Sequence, residues 1–304
     1  MEFLKRIDFD NHDGVYLPML NDVLRNRFYD QVLEETHDQY CIEIGFGTGL
    51  LSMLAIKHGA RHVTAYESNS ARFELGRKII QLLNLENKIT LLNQRFDYNL
   101  IDTGLTIFTE TVDDNIWGEG LFNSLPRGPV QKFLPGEYFL EIHAVPVSVE
   151  IAQCLTQAGE EKHFAPAVDV DPRFVSCVNL LLAKKYKKSL TPKIQLSTGI
   201  TELHNDKNLI KFISNDTCAG GYTVDTNTAF VEGSVYEIDI ATHDRPVLII
   251  PRAGLRHRNH VLYLDTGHWN VCKNPVIVNQ PHCTVTTSHD VHTGKITYKI
   301  KEPT

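Results

Sequence analysis

Three glycines at alternate positions, Gly45, Gly47 and Gly49, follow the short apolar run from Tyr40 to Ile44 and precede another that starts at Leu50. Where a strand turns into a helix, missing side chains let a ligand approach the backbone and the helix N-terminus. The pattern reads E-x-G-x-G-x-G from Glu43, whereas a dinucleotide fingerprint would require glycine where Leu50 stands. Glu67 closes the following apolar run, a place from which a carboxylate can accept hydrogen bonds from both hydroxyls of a ribose. Strand, turn, helix and acid in this order point to a nucleoside ligand.

Glu110 and Glu119 bracket a second candidate segment, ETVDDNIWGE, after the apolar run Leu105 to Phe108. Ligands of open α/β sheets bind beyond the carboxyl ends of the strands, which would bring this loop beside the nucleoside. Two carboxylates converging there form a fork for a guanidinium, whose planar paired donors lysine cannot reproduce. Taken alone, the same two glutamates also read as a solvated acidic loop. A third element, Thr266, Gly267, His268 and Trp269, lies far along the chain, and His268 by itself reads as a packing residue. The histidine pairs His257/His260 and His289/His292 have no evident third ligand, so no metal site is expected.

Positioning these residues requires a defined order of elements. From Tyr16 to Glu35, Leu17, Leu20, Val23 and Leu24 recur at helical spacing, with Pro18 in the first turn and Asp22 and Arg25 three apart on one face. A strand at Tyr40–Ile44, a helix at Leu50–His58 and a strand at His62–Tyr66 make a βαβ unit. A helix over Ala71–Leu83 and apolar runs at Ile89–Leu92 and Leu105–Phe108 continue the alternation, predicting a mostly parallel sheet covered by helices. After about Val145 the pattern changes to short β-branched segments separated by turn residues: Pro246–Ile250, His260–Leu264, Pro275–Val278, Cys283–Thr287 and Lys295–Ile300. The span Arg173–Lys188 stands apart as an amphipathic helix or a projecting arm.

With 304 residues, 42% of them hydrophobic, the chain can fill two lobes. A formal net charge of -7 argues against broad phosphate-backbone binding and leans toward cationic partners. Six scattered cysteines suit reduced thiols better than a disulfide framework. No apolar run is long enough for a membrane span, and the first residues lack the apolar core of a signal peptide, so a soluble, cytoplasmic protein is expected.

Taken together, these segments resemble the protein arginine methyltransferases, S-adenosylmethionine-dependent enzymes of class I. YLPMLNDVLRNRFY looks like the family's cofactor-covering helix, with ML-x-D-x-x-R at Met19, Leu20, Asp22 and Arg25; IEIGFGTGLLSMLAIKHGARHVTAYESN resembles its glycine loop and ribose strand; TETVDDNIWGEG resembles its double-E loop; and Gly267–Trp269 resembles its THW loop, with Gly267 replacing threonine. The family's YFxxY motif is not recognisable in KRIDFDNHDG. The resemblance implies a Rossmann-like, seven-stranded methyltransferase domain over residues 1–145, including the N-terminal helix. A β-barrel-like substrate domain would follow over 146–304, with a dimerisation arm near 171–190. By the same likeness Met19, Arg25, Glu43, Gly45, Gly47, Gly49, Glu67 and Asp97 would bind S-adenosylmethionine, Arg25 pairing with its methionine carboxylate, Glu67 holding the ribose and Asp97 lying near the adenine. Glu110 and Glu119 would hold the guanidinium, His268 paired with Asp22 would accept the proton, and Asp113 and Trp269 would contact an arginine-containing protein substrate. The YxxMLxDxxRNxxY pattern and the GEG ending look most like the monomethylating, type III branch, and family members commonly form homodimers. A methyltransferase acting on a small molecule or nucleic acid, and a non-catalytic cofactor-binding scaffold, remain alternative readings at this point.

Overall fold

The computed structural model describes residues 19–97, 104–112, 132–146, 164–182, 203–204, 218–225, 235–241, 247–264, 271–272, 276–278, 282–290 and 295–301. They divide between two compact units, one drawing on Met1–Thr111, Pro126–Gly136 and Glu160–Leu190 and the other on Val112–Leu125, Glu137–Gly159 and Thr191–Thr304.

In the first unit the described strands are β1 (Tyr40–Ile44), β2 (His62–Tyr66), β3 (Ile89–Leu92), β4 (Thr106–Thr109) and β5 (Lys132–Leu134). All described pairings among them are parallel, in the order β3-β2-β1-β4-β5. That order reverses direction between β1 and β4, the switch point at which open α/β sheets bind ligands. Cys41 to Glu43 of β1 and all of β4 are buried, as expected of central strands in a parallel sheet covered by helices.

Among the described residues, four helices belong to this unit: α1 (Val23–Val32), α2 (Leu50–Lys57), α3 (Ser70–Leu83) and α4 (Pro172–Leu182). Leu50 to Ala55 are buried without interruption, as expected for an apolar helix inside the fold. Asn69 caps α3 by accepting from the amides of Ala71 and Arg72, and Asn84 ends it in the left-handed conformation. In α4, Phe174 and Val178 are buried, and the Phe174 ring meets Phe164 edge-on.

The expected helix over Tyr16–Glu35 is corrected in its boundaries. Asp22 has an extended backbone, and its carboxylate accepts from the amides of Leu24 and Arg25, so it caps α1 instead of lying within a continuous helix. A short aspartate competes for backbone donors and favours this position. At the other end, Leu33–Thr36 tightens into a 3-10 turn.

The second unit carries β6 (Glu137–Pro146), β7 (Leu203–His204), β8 (Cys218–Asp225), β9 (Val235–Ala241), β10 (Val247–His257), β11 (His260–Tyr263), β12 (Val271–Cys272), β13 (Val276–Val278), β14 (His282–Asp290) and β15 (Lys295–Lys301). All its described pairings are antiparallel, with β11-β10-β6-β8 as the main sheet, β13 also on β10, and β15-β14-β9 and β12-β7 as smaller ones. Antiparallel β structure therefore begins at Glu137, ahead of the change of pattern near Val145. Gly254 lets β10 run beneath the Phe139 ring, since a Cβ there would stand 2.2 Å from the ring. The fold class is as expected: a Rossmann-like α/β sheet accompanied by an antiparallel β unit.

Candidate functional site

Parallel register brings the ends of three strands level. Ile44 pairs with Tyr66 on one side and with Thr109 on the other. The residues one step beyond, Gly45, Glu67 and Glu110, therefore emerge side by side at the carboxyl edge of the sheet. Glycine loop and acidic residues, separated by up to 65 positions in sequence, come together here through β pairing alone.

The loop itself is tightly held. Gly45 and Phe46 both donate to the Tyr66 carbonyl, at 2.9 and 3.1 Å. Gly45 and Gly49 have φ of +82° and +89°, a region that strongly favours glycine. A Cβ on Gly45 would stand 2.4 Å from Thr111 Cγ2, and one on Gly49 would stand 2.3 Å from the Phe46 ring. Gly49 caps α2 without a side-chain hydrogen bond, leaving the first-turn amides of that helix uncapped by a side chain. Within the loop, Thr48 Oγ1 is buried and has no partner among the described residues.

Glu67 is buried, and its two oxygens accept from Gly47 N at 3.0 Å and Asn69 N at 2.8 Å. Glu43, on β1 beneath the loop, is 1% exposed, and Ser52 Oγ of α2 donates to its Oε2. Burial pushes the Glu43 carboxyl up to about 8; the Ser52 hydrogen bond acts in the opposite direction, and the neighbouring Glu67 adds to the rise. Glu43 is thus largely a neutral acid near pH 7. Asp97 is exposed beside buried Phe96, whose ring packs edge-on against Tyr66. Met19 is half-buried, in helical backbone that ends at Leu20 before Asp22.

Glu110 does not stand alone. Arg25 of α1 presents Nε to Oε1 and NH2 to Oε2, a two-point fork, with both side chains nearly buried. Burial opposes the Arg25 charge, but the Glu110 carboxylate outweighs it and raises the guanidinium above its ordinary value. Tyr29, one turn on from Arg25, donates to the Thr109 carbonyl at 2.9 Å, and its ring lies 5.6 Å from the guanidinium carbon. Arg25 NH1 also donates to Asn26 Oδ1 at 3.0 Å. Among the described residues the guanidinium of Arg25 meets Glu110 and Asn26, and the expected pairing with a cofactor carboxylate would use its remaining donors.

Of the predicted site residues, Arg25, Glu43, Gly45, Gly47, Gly49, Glu67 and Glu110 gather around the sheet edge, and Asp22 sits directly before α1. Asp113, Glu119, His268 and Trp269 lie outside the described residues, as does any pairing of His268 with Asp22. Sequence reading gave no role to Asn26, Tyr29 or Ser52. Tyr29 was detectable in principle, since it follows Arg25 by four positions, and Ser52 is the lone polar residue in LLSMLAI. Among the described residues, no group of three or more His, Cys, Asp or Glu could hold a metal ion, and no helix is long and apolar enough to cross a membrane.

Fold and site define an α/β protein with a parallel sheet and acidic residues at its switch point. No family sequence model matches the chain. It is 34% identical over 115 residues to protein arginine N-methyltransferase 9 of Mus musculus, covering 35% of this chain and 14% of that protein. It is 35% identical over 122 residues to protein arginine N-methyltransferase 1.6 of Arabidopsis thaliana, covering 36% of this chain and 17% of that protein. Protein arginine N-methyltransferase 1 of Saccharomyces cerevisiae is 33% identical over 91 residues, covering 29% of this chain and 26% of its own length. The matched segments thus span about a quarter or less of these relatives.

Among solved structures, PRMT6 with SAH superposes with a TM-score of 0.58 at 16% identity, covering 93% of this chain and 98% of that one. The Trypanosoma brucei PRMT1 enzyme-prozyme heterotetrameric complex with AdoHcy gives 0.54 at 16% identity, covering 95% and 96%. Arabidopsis thaliana protein arginine methyltransferase 10 gives 0.55 at 13% identity, covering 98% of each chain. The resemblance drawn from the motifs is borne out: the chain is similar to protein arginine methyltransferases in sequence over about a third of its length, and it shares their fold.

Proposed function

We propose that this chain is an S-adenosylmethionine-dependent protein arginine N-methyltransferase. One observation carries the reading. Glu110, one residue beyond β4 and level with the glycine loop, already binds a guanidinium through two parallel hydrogen bonds, that of Arg25. A carboxylate in this place has the geometry and surroundings to hold a planar cation.

The residues present fit the cofactor. A glycine loop in left-handed backbone, a helix start with no side-chain cap, a Thr48 hydroxyl without a partner among the described residues and a buried acid at the end of β2 suit a nucleoside carrying an amino-acid end. Glu67 would accept from the ribose, with Met19 and Asp97 flanking the base and the methionine end and Glu43 beneath the loop. Arg25 retains the second hydrogens of NH1 and NH2 after bonding Glu110 and Asn26, and these would meet the methionine carboxylate. S-adenosylmethionine supplies a methyl group on a sulfonium centre.

Glu110 and Glu119 hold the substrate guanidinium and orient one nitrogen, and their negative charge is in place before the reaction begins. A guanidinium keeps its proton below about pH 12, so a proton must leave as product forms. His268, supported by Asp22, takes it. Asp113 and Trp269 contact the arginine-containing protein. The β-rich second half contributes to binding that protein.

In finer detail, the reading is of a monomethylating, type III enzyme that acts in the cytoplasm as a homodimer. The RN pair and GEG ending support the first point, and the multimeric assembly of the trypanosome relative is in keeping with the last. The test is mass spectrometry of arginine-rich peptides after incubation with labelled S-adenosylmethionine. Monomethylarginine is expected from the wild type, and none from Glu110→Gln or Glu119→Gln. Undiminished turnover in both variants, or label found only on nucleic acids or metabolites, would overturn it.

A further inference from the structure

Asn26 is fully buried, and its side chain makes hydrogen bonds to three distinct destinations. Its Nδ2 donates to the Leu20 carbonyl at 2.7 Å and to the Pro166 carbonyl at 2.8 Å, while its Oδ1 accepts from Arg25 NH1 at 3.0 Å. Two carbonyls on one side and a guanidinium on the other leave only one orientation of the amide that satisfies all three partners. The carboxamide therefore cannot turn to follow Arg25. Nearby, Asn21 Oδ1 accepts from Ala165 N at 2.6 Å, so the chain before α4 is tied to the start of α1 twice.

The consequence falls on Arg25. Its Nε and NH2 edge faces Glu110, and NH1, on the opposite edge, faces Asn26. The plane of the guanidinium is thus set from both sides, and one of those sides is anchored to residues 140 positions away in sequence. A long side chain with several soft torsions needs such a second anchor to present its remaining donors in one direction.

We propose that Asn26 is a positioning residue, which fixes the Arg25 guanidinium against Glu110 and thereby sets the donors offered to the carboxylate end of the cofactor. This rests on the function proposed above. A purely structural asparagine would affect stability and leave ligand affinity alone, or would affect affinity independently of Arg25.

The experiment is a double-mutant cycle on the full chain. S-adenosylhomocysteine binding is measured by calorimetry for wild type, Asn26→Ala, Arg25→Lys and the double variant, with folding checked by circular dichroism. Should Asn26→Ala not fold, Asn26→Ser takes its place in the same cycle. Loss of a hydrogen bond to a charged group is expected to weaken binding about tenfold in the wild-type background. In the Arg25→Lys background, where there is no fork to orient, the same change should weaken it less than about twofold. Equal losses in both backgrounds, or unchanged affinity with only a lower melting temperature, overturn the proposal and leave the function intact. A wild-type chain that binds no S-adenosylhomocysteine overturns both.

Discussion

Glu43→Gln should make the protein more stable at neutral pH, and the gain should grow with pH. Glu43 is 1% exposed and has a carboxyl pushed up to about 8 from an ordinary value of 4.5, first by burial and then by Glu67 and Glu110, against the Ser52 hydrogen bond and Arg25. Because the folded state holds this proton more tightly than the unfolded state, the group's contribution is fully present below about pH 4.5. It is lost progressively as pH rises toward about 8, where the folded carboxyl itself ionises. From pH 4.5 to about 7 the unfolded chain alone gains from ionisation, at ~1.4 kcal/mol per pH unit, a difference on the order of 3 kcal/mol. Glutamine has the shape of the neutral acid, keeps an oxygen for Ser52 Oγ and cannot ionise. Urea denaturation followed by circular dichroism, at a series of pH values for both chains, isolates this site, because all other groups cancel in the difference. A difference between the two chains that stays flat from pH 5 to pH 8 would refute the assignment of a neutral buried acid beneath the glycine loop.

Other perturbations test the remaining parts of the site. Glu110→Gln leaves the Arg25 charge buried without its counter-ion, and the loss in urea denaturation should be on the order of 3 kcal/mol or more. Arg25→Met in the same background should recover part of that loss, and no recovery would contradict the ion-pair account. Gly49→Ala forces a Cβ into a left-handed backbone and against Phe46, so the melting temperature should fall by an amount corresponding to more than about 1 kcal/mol. Burial in β1 pushes the Cys41 thiol up to about 12 despite nearby Lys132, so peptide mapping should find Cys41 unalkylated by iodoacetamide at pH 8 in the native protein and modified in urea.

How much was legible in the sequence differs between elements. Strands β1, β2 and β3 were placed residue for residue, because a buried strand flanked by glycine or asparagine carries its own punctuation. α1 was read too long, since apolar spacing continues through Asp22 and only the carboxylate's bonds to Leu24 N and Arg25 N reveal a cap. β6 was missed: EYFLEIHAVP alternates weakly, and what makes it a strand is ten consecutive partners on β10, more than 100 residues away.

The local order of chemistry belongs to the sequence alone: the glycines after an apolar strand, the acid ending the next, and a glutamate directly after β4. Side-chain types at short spacing determine backbone conformation and hydrogen-bonding capacity, and those need no knowledge of the fold. Tertiary structure decided which of these groups meet. Register placed Gly45, Glu67 and Glu110 level, and tertiary packing brought Arg25 of α1 to Glu110 and Asn26 to Pro166. Such long-range partners depend on three-dimensional packing that no short spacing encodes.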